Sequence, residues 1–82
     1  MNKYITYHDN LTKAYYNNKT FNGQEINKEI FEALHSLNNL KKEKEYPDPV
    51  FPMENIDNLI AEAENNLPSG IIYSVNECEV GE

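Results

Sequence analysis

The feature that most constrains this chain is the spacing of apolar residues between Asn22 and Lys44. Ile26, Ile30, Ala33, Leu34, Leu37 and Leu40 follow one another at steps of 4, 3, 1, 3 and 3. At the helical angle per residue, all six fall within roughly 120° of arc, with Phe31 on one shoulder. On the opposite flank Glu25, Glu29, Glu32 and Glu43 share a row with Ser36. No other stretch is as long or as periodic, so the remaining segments are expected to pack on this helix. Asn22 is read as its N-cap, with Glu25 at N3 in a capping-box-like pair. Asn22-Gly23 is also a favoured hairpin turn, but the helical pattern that follows favours the cap. Lys41, Lys42 and Lys44 fall in the last turn, where cations suit the negative end of the helix dipole. The expected helix therefore runs over about 23–44.

The flanking segments are shorter. Residues 3–8 (KYITYH) are β-branched and aromatic with alternating faces, which predicts a strand. Residues 11–21 are ambiguous. Leu11, Ala14 and Tyr15 fit a helical face and favour a short helix, while Tyr15-Tyr16 also suits a strand. Residues 46–52 hold three prolines, which remove N–H donors and force their predecessors out of the α region. This predicts a stiff, extended connector. A second helix follows over about 53–66, with Met53, Ile56, Leu59, Ile60, Ala63 and Leu67 on its apolar face and Pro68 as its stop. Residues 71–78 (IIYSVNEC) alternate as a second strand, and the tail after them is expected to fray. These elements predict a single small α+β domain, residues 1–82. In it, two amphipathic helices pack on a short sheet formed by N- and C-terminal strands. Two strands alone make a poor sheet, so either a third strand lies within residues 11–21 or a second copy extends it.

At 82 residues the chain buries about 60–65% of its unfolded surface, which makes the core marginal. Its charge is distinctive. Fourteen acids oppose seven bases, all of them Lys, for a net charge of −7. The lysines all precede residue 45; beyond Lys44 there are nine acids and no base. Such a field repels nucleic acid and anionic membrane and attracts basic surfaces. No signal peptide or membrane-length apolar run is read from the sequence, and one cysteine forms no internal disulfide. A cytoplasmic, reducing setting is the expectation.

Catalytic and metal signatures are absent from the pattern. His8, His35 and Cys78 lack the paired spacing of a zinc site. Both histidines are read as solvated, and Cys78, between Glu77 and Glu79, as a partly buried thiol whose acidic neighbours disfavour the thiolate. No calcium loop or phosphate-binding loop occurs. The expectation is a non-enzymatic protein without cofactor or metal.

The acidic pattern carries the functional reading. Glu25, Glu29, Glu32 and Glu43 would span roughly 27 Å of helix, with neighbours about one turn apart. Phosphates along a nucleic-acid strand repeat on a comparable scale. Asp48, Asp57, Glu62, Glu64, Glu77 and Glu79 would be secondary contacts, and Tyr46 and Phe51 on the connector would be aromatic anchors. In length, net charge and acidic ridge the chain resembles, as a class, the small acidic proteins that phages and mobile elements use against host nucleic-acid enzymes. Uracil-glycosylase inhibitors, anti-restriction proteins and some anti-CRISPR proteins belong to that class. The resemblance implies an inhibitor that occupies the basic nucleic-acid groove of a host defence or DNA-processing enzyme. The thirteen Asn, with Lys but no Arg, suit a low-GC bacterial or phage coding sequence. The alternative is a homo-oligomeric assembly module, for instance a homodimer, with apolar, salt-independent contacts.

Overall fold

The computed structural model describes residues 2–50 and 52–81. Three helices and one two-stranded hairpin make up its regular structure: α1 Lys3–Tyr16, β1 Thr20–Phe21, β2 Gln24–Glu25, α2 Lys28–Glu45 and α3 Ile56–Asn65. The α+β class holds, but the strands lie elsewhere than expected.

The N-terminal segment is helical. Tyr4, Tyr7, Leu11 and Ala14 are its buried residues. Their steps of 3, 4 and 3 are a helical face, and this outweighs the strand propensity of the individual side chains. Asn2 caps the helix: its side-chain oxygen accepts a hydrogen bond from the Tyr4 backbone N–H at 2.8 Å. Strand 3–8 is thus corrected to the first half of α1, and residues 11–16 to its second half.

Asn22-Gly23 is a hairpin turn. Both residues have positive φ, 52° and 78°. They join β1 to β2 as a two-residue loop with Phe21 paired to Gln24, the signature of a type I′ turn. Asn22 therefore does not cap α2. That role falls to Asn27, whose Oδ1 accepts from Ile30 N at 2.8 Å. The capping pair with Glu25 is absent because Glu25 lies in β2. The hairpin consumes the first turn of the predicted helix, so α2 starts at Lys28 instead of about residue 23.

The second predicted helix, 53–66, is shortened to α3. Asn55 adopts a left-handed conformation, φ 56°, immediately before Ile56 and contributes no side-chain cap. Strand 71–78 is absent; that segment is an irregular strap. Tyr73, Val75, Cys78 and Val80 pack, partly buried, on the core cluster of Tyr7, Leu11, Ala14, Phe21 and Leu34. The tail does not fray where it was expected to. Val80 bridges Phe21 in antiparallel fashion, and Gly81 N donates to Thr20 O at 2.8 Å. β1 thus has β2 on one edge and the tail on the other.

Helix α2 is the axis of the fold, packing against both α1 and α3. Leu34 and Leu37 are buried on it, together with one polar residue, Asn38. Asn38 Nδ2 donates to Tyr4 O at 3.0 Å, and the Tyr73 hydroxyl donates to Asn38 Oδ1 at 2.7 Å. One buried amide thereby ties α1, α2 and the strap together. Aromatic rings complete the centre, with Tyr7 edge-on to Phe21 at 5.0 Å and tilted against Tyr73 at 4.8 Å.

Candidate functional site

The acidic face is built first by helix geometry. Glu29, Glu32 and Glu43 on α2 fall within about 60° of arc, together with Ser36. Glu29 and Glu32 are exposed and Glu43 is half-buried. Glu29 sits in the first turn of α2, where the positive end of the dipole favours a carboxylate. Among the described residues no cation lies within ion-pair distance of these three carboxylates. This includes Lys28, one turn before Glu32. From Glu29 to Glu43 the row covers roughly 21 Å at 1.5 Å per residue. Glu25 is exposed but belongs to β2, so the expected four-carboxylate helical row is corrected to three, with a gap between Glu32 and Glu43.

Two depressions lie where α3 meets α2. In one, Ala63 and Asn66 line a groove of about 310 Å³ with Glu29, Glu32, Ala33 and Ser36 of α2. The other, a cleft of about 470 Å³, is lined by Tyr4, Lys41, Lys44, Glu45, Ile60 and Glu64. Lys44 Nζ is 2.6 Å from Asp57 Oδ1, and Lys3 Nζ is 3.6 Å from Glu45 Oε2. The Tyr4 hydroxyl donates to the same Glu45 carboxylate. Lys41 Nζ lies 5.1 Å from the centre of the Tyr73 ring. Lys41 and Lys44 thus share their cleft with Glu45 and Glu64, whereas the groove on Glu29 and Glu32 has no lysine in its lining.

The other predicted contacts scatter. Asp57 is neutralised by Lys44, and Glu64 lines the lysine cleft, so neither continues the ridge. Glu62 is exposed in the last turn of α3, where a carboxylate opposes the dipole. Glu77 and Glu79 are exposed on the strap, which itself lies along the second edge of β1. Asp48 is exposed and its side chain accepts from Val50 N at 2.8 Å, closing a local turn. Tyr46 is exposed and meets Tyr4 edge-on at 6.2 Å. Phe51 lies outside the described residues.

Neither histidine is freely solvated. His8 lies on α1, and its ring centre is 5.0 Å from that of His35 on α2, which also contacts Phe31 at 5.6 Å. Burial, and then the neighbouring His8, lower the pKa of His35. Phe31 stacks on Tyr15 at 4.5 Å, which extends an aromatic seam along the outer side of α1 and α2. Among the described residues no three His, Cys, Asp or Glu side chains group as a metal site. Cys78 donates to Val75 O at 3.5 Å. Burial raises its pKa, so the shift runs as expected but its cause is burial in place of the neighbouring carboxylates. A raised thiol pKa is the wrong direction for a nucleophile.

Sequence reasoning missed two polar residues that the fold depends on. Asn38 carried one signal: in helical phase it falls between Leu34 and Phe31, at the edge of the apolar face of α2. Asn22 was assigned the wrong role: its side chain spans the hairpin and the strap, with Nδ2 donating to Glu77 O at 2.6 Å and Oδ1 accepting from Glu79 N at 2.8 Å.

Fold and surface together define a small α+β domain with a row of three α2 carboxylates that make no ion pair among the described residues. No family model, curated protein or solved structure matches the chain. No helix among the described residues is long and apolar enough to cross a membrane.

Proposed function

We propose that this chain is a small acidic protein-binding inhibitor, phage or mobile-element encoded. In this reading it seats the α2 carboxylates in the basic nucleic-acid groove of a host defence or DNA-processing enzyme. The supporting observation is that Glu29, Glu32 and Glu43 have no cation at ion-pair distance among the described residues, while Lys41 and Lys44 line a different cleft. A carboxylate row left unpaired by its own chain is available to lysines and arginines of a partner. Glu62, exposed in the last turn of α3, adds to the net negative charge at a position its own helix dipole disfavours. Charge complementarity of this kind speeds association and weakens with salt.

The test is capture from a low-GC bacterial lysate at two salt concentrations, with duplex DNA as competitor. The reading expects a nuclease, glycosylase or polymerase, released by salt and by DNA. Replacing Glu29, Glu32 and Glu43 together by Lys should abolish capture with an unchanged circular dichroism spectrum. Undiminished binding by that triple variant refutes the ridge.

A homo-oligomeric assembly module is the second reading. Exposed apolar side chains favour it: Tyr16 and Ile72 are 71% and 70% exposed, and Ile5 is 49%. Self-association that is unchanged by salt, with no captured enzyme, supports it over the first.

A further inference from the structure

The chain contains thirteen Asn, and one alone, Asn22, is followed by Gly. That residue is also one of the fasteners of the C-terminal strap. Its backbone N–H donates to Glu79 O at 2.8 Å, and both ends of its side-chain amide engage the strap, at Glu77 O and Glu79 N. Gly23 has no side chain and faces open space, with no heavy atom within 4 Å of where a Cβ would stand. A backbone nitrogen unshielded by any side chain therefore follows an amide whose hydrogen bonds hold a distant segment in place.

We propose that Asn22 is a self-modification site whose conversion unfastens the C-terminal strap. The Gly23 nitrogen attacks Cγ of Asn22, the Cγ–Nδ2 bond breaks, and the amide leaves as ammonia with the proton from Gly23 N–H. The five-membered imide that results takes up water at either carbonyl and opens to aspartate or to its β-linked isomer. Water is the co-reactant, and nothing is oxidised or reduced. Ring closure requires the side chain to leave Glu77 and Glu79, so the clamp and the reaction exclude each other. Each transient opening of the strap exposes the site.

The product cannot restore the clamp. A carboxylate has no N–H to give the Glu77 carbonyl, and it sets oxygen against oxygen where a donor stood. It also adds a third negative charge beside Glu77 and Glu79. The β-linked isomer further inserts a backbone carbon into a two-residue turn whose two positive φ values set the register of β1 and β2. The Val80 bridge to Phe21 depends on that register. This inference is independent of the partner proposed above.

The full chain, incubated at mildly alkaline pH under native conditions, is followed by intact mass and peptide mapping with enzymatic isoaspartyl detection. Asn22 should convert ahead of the other twelve Asn, and a Val80→Ser variant, which loosens the bridge, should convert faster. A directly made Asn22→Asp variant should stay folded by circular dichroism. It should show about tenfold faster hydrogen exchange at the Gly81 amide, the effect of losing one hydrogen bond. Three results would each overturn the proposal: Asn22 intact in the native chain while it converts in urea, an unchanged rate in Val80→Ser, or unchanged Gly81 exchange in Asn22→Asp.

Discussion

The buried amide of Asn38 allows the sharpest test of how this small core is held. Asn38 is 2% exposed and joins three segments through two hydrogen bonds, to Tyr4 O and from the Tyr73 hydroxyl. Asn38→Ala removes both bonds, each worth about 1 kcal/mol net, and strands the half-buried Tyr73 hydroxyl at a further cost of about 1–2 kcal/mol. The expected loss is about 3–4 kcal/mol. A chain of 82 residues has about 4–12 kcal/mol in total, so a large fraction of the stability depends on one side chain. At about 4–8 °C per kcal/mol for a domain of this size, the midpoint should fall by about 12–32 °C. Thermal and urea unfolding followed by circular dichroism read both quantities.

A double-mutant cycle separates the hydrogen bond from packing. Asn38→Leu and Tyr73→Phe each leave one partner unsatisfied, whereas the double variant removes both, and the Tyr4 carbonyl remains within the α1 ladder. The double variant should cost about 1–2 kcal/mol less than the sum of the singles. Additivity within about 0.3 kcal/mol, or an Asn38→Ala loss under about 0.5 kcal/mol, would refute the reasoning.

Phe21 is 1% exposed at the junction of the hairpin, the strap and Tyr7, so Phe21→Ala should cost about 3–5 kcal/mol and leave the domain barely folded by differential scanning fluorimetry. The lowered pKa of His35 favours its neutral form in the fold. Its contribution to stability is full above the unfolded value of about 6.5 and is lost as pH falls below it; urea midpoints measured from pH 8 to pH 5 should decline less in His35→Phe. Burial raises the phenol pKa of Tyr4 to about 12 and also raises those of Tyr7 and Tyr73. The folded protein therefore favours the neutral phenols, and stability should be lost as pH rises above about 10, with tyrosinate absorbance appearing together with unfolding.

Where side-chain periodicity acts within one segment, the sequence was sufficient. The α2 stripe predicted the central helix, whose Leu34 and Leu37 are buried, and Lys42 and Lys44 stand in its last turn as expected. The α1 face was present too, in the steps between Tyr4, Tyr7, Leu11 and Ala14, but β-branched and aromatic side chains obscured it. The acidic ridge was legible only in part. Helical phase correctly grouped Glu29, Glu32 and Glu43, while the turn at Asn22-Gly23 removed Glu25 from the helix.

Composition and phase, then, determined α2, the core of α3 and the unbalanced charge of the second half, because these depend only on which residues are present and how they are spaced. Tertiary structure decided the rest. It chose hairpin over helix cap at Asn22 because the hairpin gives that side chain two partners more than fifty residues away, at Glu77 and Glu79. It likewise placed Lys44 on Asp57 and left Glu29, Glu32 and Glu43 without an ion pair among the described residues. Such pairings depend on which segments meet in space, and no local pattern along the chain encodes that.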